Sequence, residues 1–222
     1  MSYNIAIDGP AGAGKSTVAK RLAKRLQFLY VDTGALYRAM ALYFLEIGID
    51  KNDEDALRDA SGKITLSLAY TKDGQRIYVN GRDVTGLIRT PAVTAMSSAV
   101  SAYGFVRDKI TQSLRHVAAE SDVIMDGRDI GTCVLPDADL KIYLTASADT
   151  RAKRRYDELR EKGTDCDYQS IRADIIRRDG MDKSRSIAPL KKAEDAVYID
   201  SSDLSARQVV DQIYEMVLQE IS

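Results

Sequence analysis

Ile5-Ala6-Ile7-Asp8-Gly9-Pro10-Ala11-Gly12-Ala13-Gly14-Lys15-Ser16-Thr17 decides the fold. A short apolar run that reads as a buried strand passes into the pattern G-x-x-x-x-G-K-[ST]. The residues beyond it repeat as a helix, with Val18, Ala19, Leu22, Ala23 and Leu26 on one face and Lys20, Arg21, Lys24 and Arg25 on the other. Strand, Gly-rich turn and helix in that order make a phosphate cradle. The glycines let the backbone wrap an anion with its N–H groups, and the helix N-terminus adds a favourable dipole. Lys15 reaches the transferring oxygens and Ser16 is a ligand for Mg²⁺. Gly9, Pro10, Ala11, Gly12, Ala13, Gly14, Lys15, Ser16 and Thr17 are therefore the candidate ATP-binding residues, with Ser16 as the candidate metal ligand.

Outward from this stretch, apolar runs at 28–31, 123–125, 140–144 and 197–199 join 5–7 as five buried parallel strands. Helical patterns separate most of them. Leu36, Tyr37, Met40, Phe44 and Leu45 form one that ends at Gly48, and Val209, Ile213, Met216 and Val217 form another after Ser205. This alternation predicts a three-layer α/β fold. One segment departs from it. Ile64, Leu66, Leu68 and Tyr70 alternate, Asp73-Gly74 marks a turn, and Ile77-Tyr78-Val79 resumes the strand pattern, which predicts a small antiparallel insertion. With no internal repeat, low-complexity tract or linker, the reading is a single domain over residues 1–222 that carries insertions.

At 222 residues and 45% apolar content the chain can bury a full core. A net charge of -1 argues against broad attraction to nucleic acid or to an anionic membrane, so an anionic partner must meet locally clustered arginines. No stretch approaches the roughly 20 apolar residues that span a bilayer, and Met1-Ser2-Tyr3-Asn4 runs straight into the first strand, so a cytoplasmic protein is expected. Cys133 and Cys166 are far apart and form no CxxC pair, which gives neither a metal cluster nor a disulfide framework. The near-neutral charge and the lack of heptads make a monomer the expected state.

The chain lacks the N-K-x-D motif of guanine-nucleotide switches and the L-S-G-G-Q signature of transporter ATPases, which leaves small-molecule and nucleotide kinases. When the acceptor is itself a phosphate oxygen it is already anionic and needs no general base, so arginines replace a catalytic histidine. The one histidine, His116, lies in a helical pattern with no catalytic partner near it in sequence and receives no role. Arg38 follows Asp32-Thr33-Gly34, Arg128 follows Asp126-Gly127, and Arg178 and Arg185 flank Asp179 and Asp182. Paired guanidiniums at such places suit two phosphate groups. Arg151, Arg154 and Arg155 share one helix face. They read either as groups that close over the transferring phosphoryl or as a solvated face paired with Asp157 and Glu158. The candidate catalytic residues are Lys15, Arg128, Arg155, Arg178 and Arg185.

Five motifs together resemble one family. They are Ile7-Asp8-Gly9-Pro10 through Thr17, Asp32-Thr33-Gly34-Ala35-Leu36-Tyr37-Arg38, Ile88-Arg89-Thr90, Asp126-Gly127-Arg128-Asp129-Ile130-Gly131, and Arg178-Asp179 through Ser184-Arg185 with Ala188-Pro189-Leu190. The chain resembles the bacterial cytidylate kinases over nearly its whole length. That resemblance implies a P-loop kinase fold with a core at 1–34, 112–149 and 186–222, an inserted CMP-binding region at about 35–111 and a mobile helical lid at about 150–185. It implies transfer from ATP, with Mg²⁺, to CMP and dCMP. By resemblance Ser98, Arg107 and Asp129 are cytosine readers, Thr33, Arg38, Arg128 and Arg185 surround the CMP phosphate, and Arg178 and Asp182 contact the sugar. Cytosine offers an amino donor and two acceptors, which an Asp and an Arg complement, whereas uracil would face Asp129 with an acceptor. From the residues alone, Ser98 reads equally as a helix serine bonded to its own backbone and Asp129 as a loop carboxylate paired with Arg128. Asp126 is placed to polarise a Mg²⁺-bound water. The alternatives are AMP or UMP as acceptor, and a non-catalytic ATP-binding regulatory protein.

Overall fold

The computed structural model describes residues 2–71 and 74–221. In chain order its first elements are β1 (Asn4–Asp8), α1 (Lys15–Leu26), β2 (Leu29–Asp32), α2 (Thr33–Glu46), α3 (Glu54–Lys63), β3 (Leu66–Thr71), β4 (Gly74–Val79) and β5 (Arg82–Asp83). There follow α4 (Pro91–Val100), α5 (Gly104–Glu120), β6 (Val123–Gly127), a π-helical turn (Ile130–Val134), β7 (Leu140–Thr145), α6 (Ala148–Glu161), α7 (Tyr168–Ser184), β8 (Val197–Asp200) and α8 (Ala206–Ile221). The five apolar runs form one parallel sheet, as predicted, and its strand order is β2-β6-β1-β7-β8. The second run begins at Leu29 rather than Phe28. The chain divides into two compact units, Tyr30–Ser121 with Ser2, and Tyr3–Leu29 with Asp122–Ser222.

In the unit formed by Tyr3–Leu29 and Asp122–Ser222, β1 is flanked by β6 and β7 and is covered on both faces, which is why Ile5, Ala6 and Ile7 are all apolar and wholly buried. Asp8 stands level with Gly127, so β1 and β6 end together at the Gly-rich turn, and β7 continues past Tyr143 to Thr145. Ligands of open α/β sheets bind outside such carboxyl ends. α1 packs its buried face, Val18, Ala19, Leu22 and Ala23, toward β6 and α8. α8 opens with a capping box in which Ser205 Oγ accepts the Gln208 N–H (3.3 Å) and Gln208 Oε1 accepts the Ser205 N–H (2.9 Å). α6 and α7 pack on one another. Each has a side-chain N-cap, Ser147 for the Thr150 N–H and Asp167 for the Ser170 N–H. The expected lid, about 150–185, takes in most of α6 and all of α7.

In the other unit, α2 packs against α3, α4, α5 and β4 around buried Met40, Phe44, Leu57, Ile77 and Ile110. Asp32 caps α2 by accepting the Ala35 N–H (3.0 Å), and Thr90 caps α4, whose first residue is Pro91. The alternating segment is an antiparallel pair, with Leu66 opposite Val79 and Leu68 opposite Ile77, and β5 adds a third strand. Asp73 of the expected turn lies outside the described residues. The insertion expected at about 35–111 falls within this unit. Among the described residues no helix is long and apolar enough to cross a membrane.

Candidate active site

The Gly-rich turn is held in a conformation that only glycine allows at its first position. Gly9 has φ 147°, and a Cβ there would lie 1.9 Å from the Leu144 carbonyl oxygen. Gly14, with φ 89°, immediately precedes the first residue of α1. Lys15 is buried, and its Nζ reaches back across the turn to donate to the Pro10 carbonyl (2.8 Å). Burial pushes its pKa down, the nearby Arg128 guanidinium pushes the same way, and Asp126, Asp8 and Asp182 oppose them. These neighbours place the ammonium among the groups that the sequence singled out.

Ser16 Oγ donates to Asp126 Oδ2 (2.8 Å) at the end of β6. The two residues offer hard oxygens and nothing softer, the donor set that suits Mg²⁺ when phosphate and water fill the rest of its shell. Asp8 has a different task. Its carboxylate accepts the N–H groups of Ile130 (2.8 Å) and Gly131 (2.7 Å), and so ties β1 to the π-helical turn. Burial raises its pKa to about 6 even though both N–H donors favour the charged form. Asp129 is buried, and its carbonyl closes the π-helical turn by accepting from Cys133 (2.8 Å) and Val134 (3.1 Å).

Two of the predicted arginines share one carboxylate, and a third lies close by. Arg128 Nε donates to Asp182 Oδ2 (2.7 Å), Arg185 Nη2 donates to Asp182 Oδ1 (2.8 Å), and Arg128 Nη1 donates to its neighbour's carbonyl at Gly127 (3.1 Å). Arg178 is mostly buried beside them, which lowers its pKa, with Arg128 lowering it further and Asp174 and Asp182 raising it. The carboxylate partner of Arg128 is thus Asp182. The three arginines of α6 separate. Arg151 is buried against the Gly-rich turn. Arg154 donates to the Ser201 carbonyl (2.6 Å), and Ser201 Oγ has the Thr145 carbonyl as its nearer acceptor (2.9 Å) and the Ala13 carbonyl at 3.4 Å. Arg155 is half-exposed and pairs with Glu158 (2.7 Å).

The unit built on Tyr30–Ser121 holds a second group. Arg38 Nη2 donates to both oxygens of Asp32 (3.2 and 3.0 Å), and Arg89 Nη2 donates to the same carboxylate (2.9 Å). Arg38 Nε is buried with no hydrogen-bond partner among the described residues. Thr33 is buried at the start of α2. Arg89 received no role from the sequence; its only signal was its place in Ile88-Arg89-Thr90, and its shared use of Asp32 brings it to Arg38. Ser98 Oγ donates to the Thr94 carbonyl (3.1 Å), the backbone bond of a helix serine. Ser101 Oγ donates to the Ser98 carbonyl (3.0 Å), and the buried Arg107 donates to the Ser101 carbonyl (3.0 Å) while lying 5.4 Å from the Tyr37 ring centroid. Ser98 and Arg107 therefore belong to one hydrogen-bonded cluster. His116 lies exposed, 3.6 Å from Glu120.

The family model described as cytidylate kinase matches residues 5–219, a span that contains both groups. The chain belongs to the cytidylate kinase family. It is 47% identical over 213 residues to a protein named cytidylate kinase from Carboxydothermus hydrogenoformans, with 96% of each chain covered. It is 46% identical to a cytidylate kinase from Bacillus subtilis, covering 97% of this chain and 96% of that one. A Geobacillus cytidylate kinase is 48% identical, with 99% and 98% covered. Among solved structures, an uncharacterized protein from Eubacterium ventriosum shares the fold at a TM-score of 0.56 and 14% identity, covering 97% of this chain and 98% of that one. As a member of this kinase family the protein is an ATP-dependent phosphotransferase that works with a divalent metal.

Proposed function

We propose that this enzyme transfers the γ-phosphoryl group of ATP to CMP, and to dCMP, giving CDP or dCDP and ADP. The observation that carries the reading is the sharing of Asp182 by Arg128 and Arg185, with Arg178 and the Lys15 ammonium in electrostatic reach. Guanidiniums that hold a carboxylate have the fork geometry to hold a phosphate.

In this reading the turn from Gly9 to Thr17 binds the triphosphate through backbone N–H groups and Lys15. Ser16 and Asp126 would hold Mg²⁺, which would supply positive charge against the triphosphate. A phosphate oxygen of CMP attacks the γ-phosphorus in line, and the bond from that phosphorus to the β–γ bridging oxygen breaks, leaving its electron pair on ADP. The acceptor oxygen is already ionised, so no general base is called on, and His116 stays at the surface. Lys15, Arg128, Arg178 and Arg185 stabilise charge that spreads over the transferring group, each contact being worth on the order of 3 kcal/mol of barrier. Arg155, exposed beside Glu158, enters only as a lid residue.

On the acceptor side we assign Thr33, Arg38, Arg128 and Arg185 to the CMP phosphate, Arg178 and Asp182 to the sugar, and Ser98, Arg107 and Asp129 to cytosine. The whole chain acts as one kinase domain with an insertion and a lid formed by α6 and α7, and as a monomer. A coupled assay of ADP release with CMP, dCMP, UMP and AMP in turn tests the acceptor. ADP release is expected with CMP and dCMP; release with AMP or UMP and none with CMP would overturn the assignment.

A further inference from the structure

α7 has a single buried side chain, Ile175, so apolar burial does little to fix where this helix rests. An ion pair with both side chains nearly buried takes that place. Arg151, in the first turn of α6, donates from Nη1 to Asp179 Oδ1 (3.1 Å) and from Nη2 to Asp179 Oδ2 (2.7 Å), with side-chain exposures of 6% and 13%. The same guanidinium donates from Nε to the Ala146 carbonyl (2.9 Å) and from Nη1 to the Ala11 carbonyl (2.9 Å). Ala11 is the third residue of the Gly-rich turn. A trans peptide directs its C=O and the following N–H to opposite sides. Holding the Ala11 carbonyl on Arg151 therefore fixes the Gly12 N–H on the other side, as a cradle of inward N–H groups requires. The turn also rests on the arginine stem, since a Cβ on Gly12 would lie 3.2 Å from Arg151 Cβ.

Asp179 follows Arg178 directly and stands one helical turn before Asp182, the carboxylate that gathers Arg128 and Arg185. Fixing Asp179 fixes the rotation and register of the helix that presents them. We propose that Arg151 and Asp179 are a positioning pair that couples the geometry of the ATP cradle to that of the phosphate-binding arginines, an inference that rests on the functional reading above. In this reading both residues act through the turn and the helix they hold. The planar fork sets two helices and a turn at fixed angles, which a lysine on the same spot would not do.

The test compares Asp179→Ala, Asp179→Asn and Arg151→Lys with the native enzyme by kcat, by KM for ATP and CMP separately, by calorimetric ATP binding and by thermal melting. Asp179→Ala is expected to lower kcat/KM for ATP about 100-fold, the loss typical of misplacing a binding element by about 1 Å. Asp179→Asn should recover much of this, because its amide oxygen still accepts one Arg151 N–H. Arg151→Lys keeps the charge and loses the fork, and should resemble Asp179→Ala, which keeps the question open to measurement should the alanine variant fail to fold. A pair that only holds the fold together would lower the melting temperature and leave both KM values and the kcat of folded enzyme within twofold; that result overturns the coupling, as does equal activity of the Ala and Asn variants. Native enzyme that binds no ATP would overturn the functional reading itself, whereas native ATP binding with unaltered variant kinetics overturns the coupling alone.

Discussion

Replacing Gly9 by alanine separates two demands that the Gly-rich turn makes on its first residue. One is conformational, since φ is 147°, a region that L side chains rarely adopt. The other is steric and larger, because the added Cβ would sit 1.9 Å from the Leu144 carbonyl oxygen, where real Cβ atoms come no closer than 3.0 Å. That oxygen is backbone of β7, which is paired with β1 on one side and β8 on the other, so it cannot swing aside. The turn must move by about 1 Å, and displacement of that size at a positioning element costs on the order of 100-fold in rate, or about 2.7 kcal/mol. Gly48→Ala is the control. Gly48 also has positive φ, at 73°, but nothing among the described residues lies within 4 Å of its Cβ position. It should cost about 1 kcal/mol of stability, a shift in Tm of roughly 2–4 °C for a chain of this length, and leave turnover unchanged. Steady-state ADP release with ATP varied at saturating CMP, read beside circular-dichroism melts, distinguishes the two. A Gly9→Ala enzyme with kcat/KM within threefold of native, or a Gly48→Ala enzyme as impaired as Gly9→Ala, would show that the Leu144 clash does not govern the turn.

Lys15→Ala should leave a folded protein whose kcat falls by about 100-fold or more, the loss typical of one charge-stabilising donor, as measured by the same assay. Arg155→Ala should change kcat by less than about twofold, because its guanidinium is spent on an exposed i,i+3 pair with Glu158, and pairs of that kind contribute only a few tenths of a kcal/mol. Asp8 makes stability depend on pH: a carboxyl raised from 3.8 to about 6 on folding binds its proton more tightly in the native state, so its contribution falls as pH rises from about 4 to about 6 and is flat on either side. Carboxyl ¹³C titration should show a midpoint near 6 for Asp8, and urea melts of native and Asp8→Asn proteins should diverge in slope across that window; a midpoint near 4 contradicts it.

The sheet was legible because strands buried on both faces read as unbroken apolar runs, and the run at 5–7 is followed by a turn whose glycines admit no other common use. The antiparallel insertion was legible for the opposite reason, its alternation from Leu66 to Tyr70 marking one covered face. β5 was not, because Arg82 and Asp83 are both exposed and join the sheet only by pairing with Tyr78 and Val79. α7 had no helical stripe to find, since Ile175 alone is buried, and the π-helical turn is held by the side chain of Asp8, more than a hundred residues away. The same limit applied at the site. Arginines near loops could be nominated from spacing, but spacing does not say which carboxylate gathers them, and the sorting of Arg151, Arg154 and Arg155 depends on contacts to Asp179, Ser201 and Glu158 at separations from three residues to nearly fifty.

An ammonium in a Gly-rich turn and a set of guanidiniums are proposed to bring ATP together with a cytidine monophosphate. An equimolar mixture of CMP, UMP and AMP offered to the enzyme with limiting ATP and Mg²⁺, with products resolved by ³¹P NMR and ion-exchange chromatography, tests it most directly. CDP is expected to form first and in excess over UDP, with ADP matching the ATP consumed. UDP in excess of CDP, ADP formed at twice the ATP consumed, or ATP left intact, would contradict it.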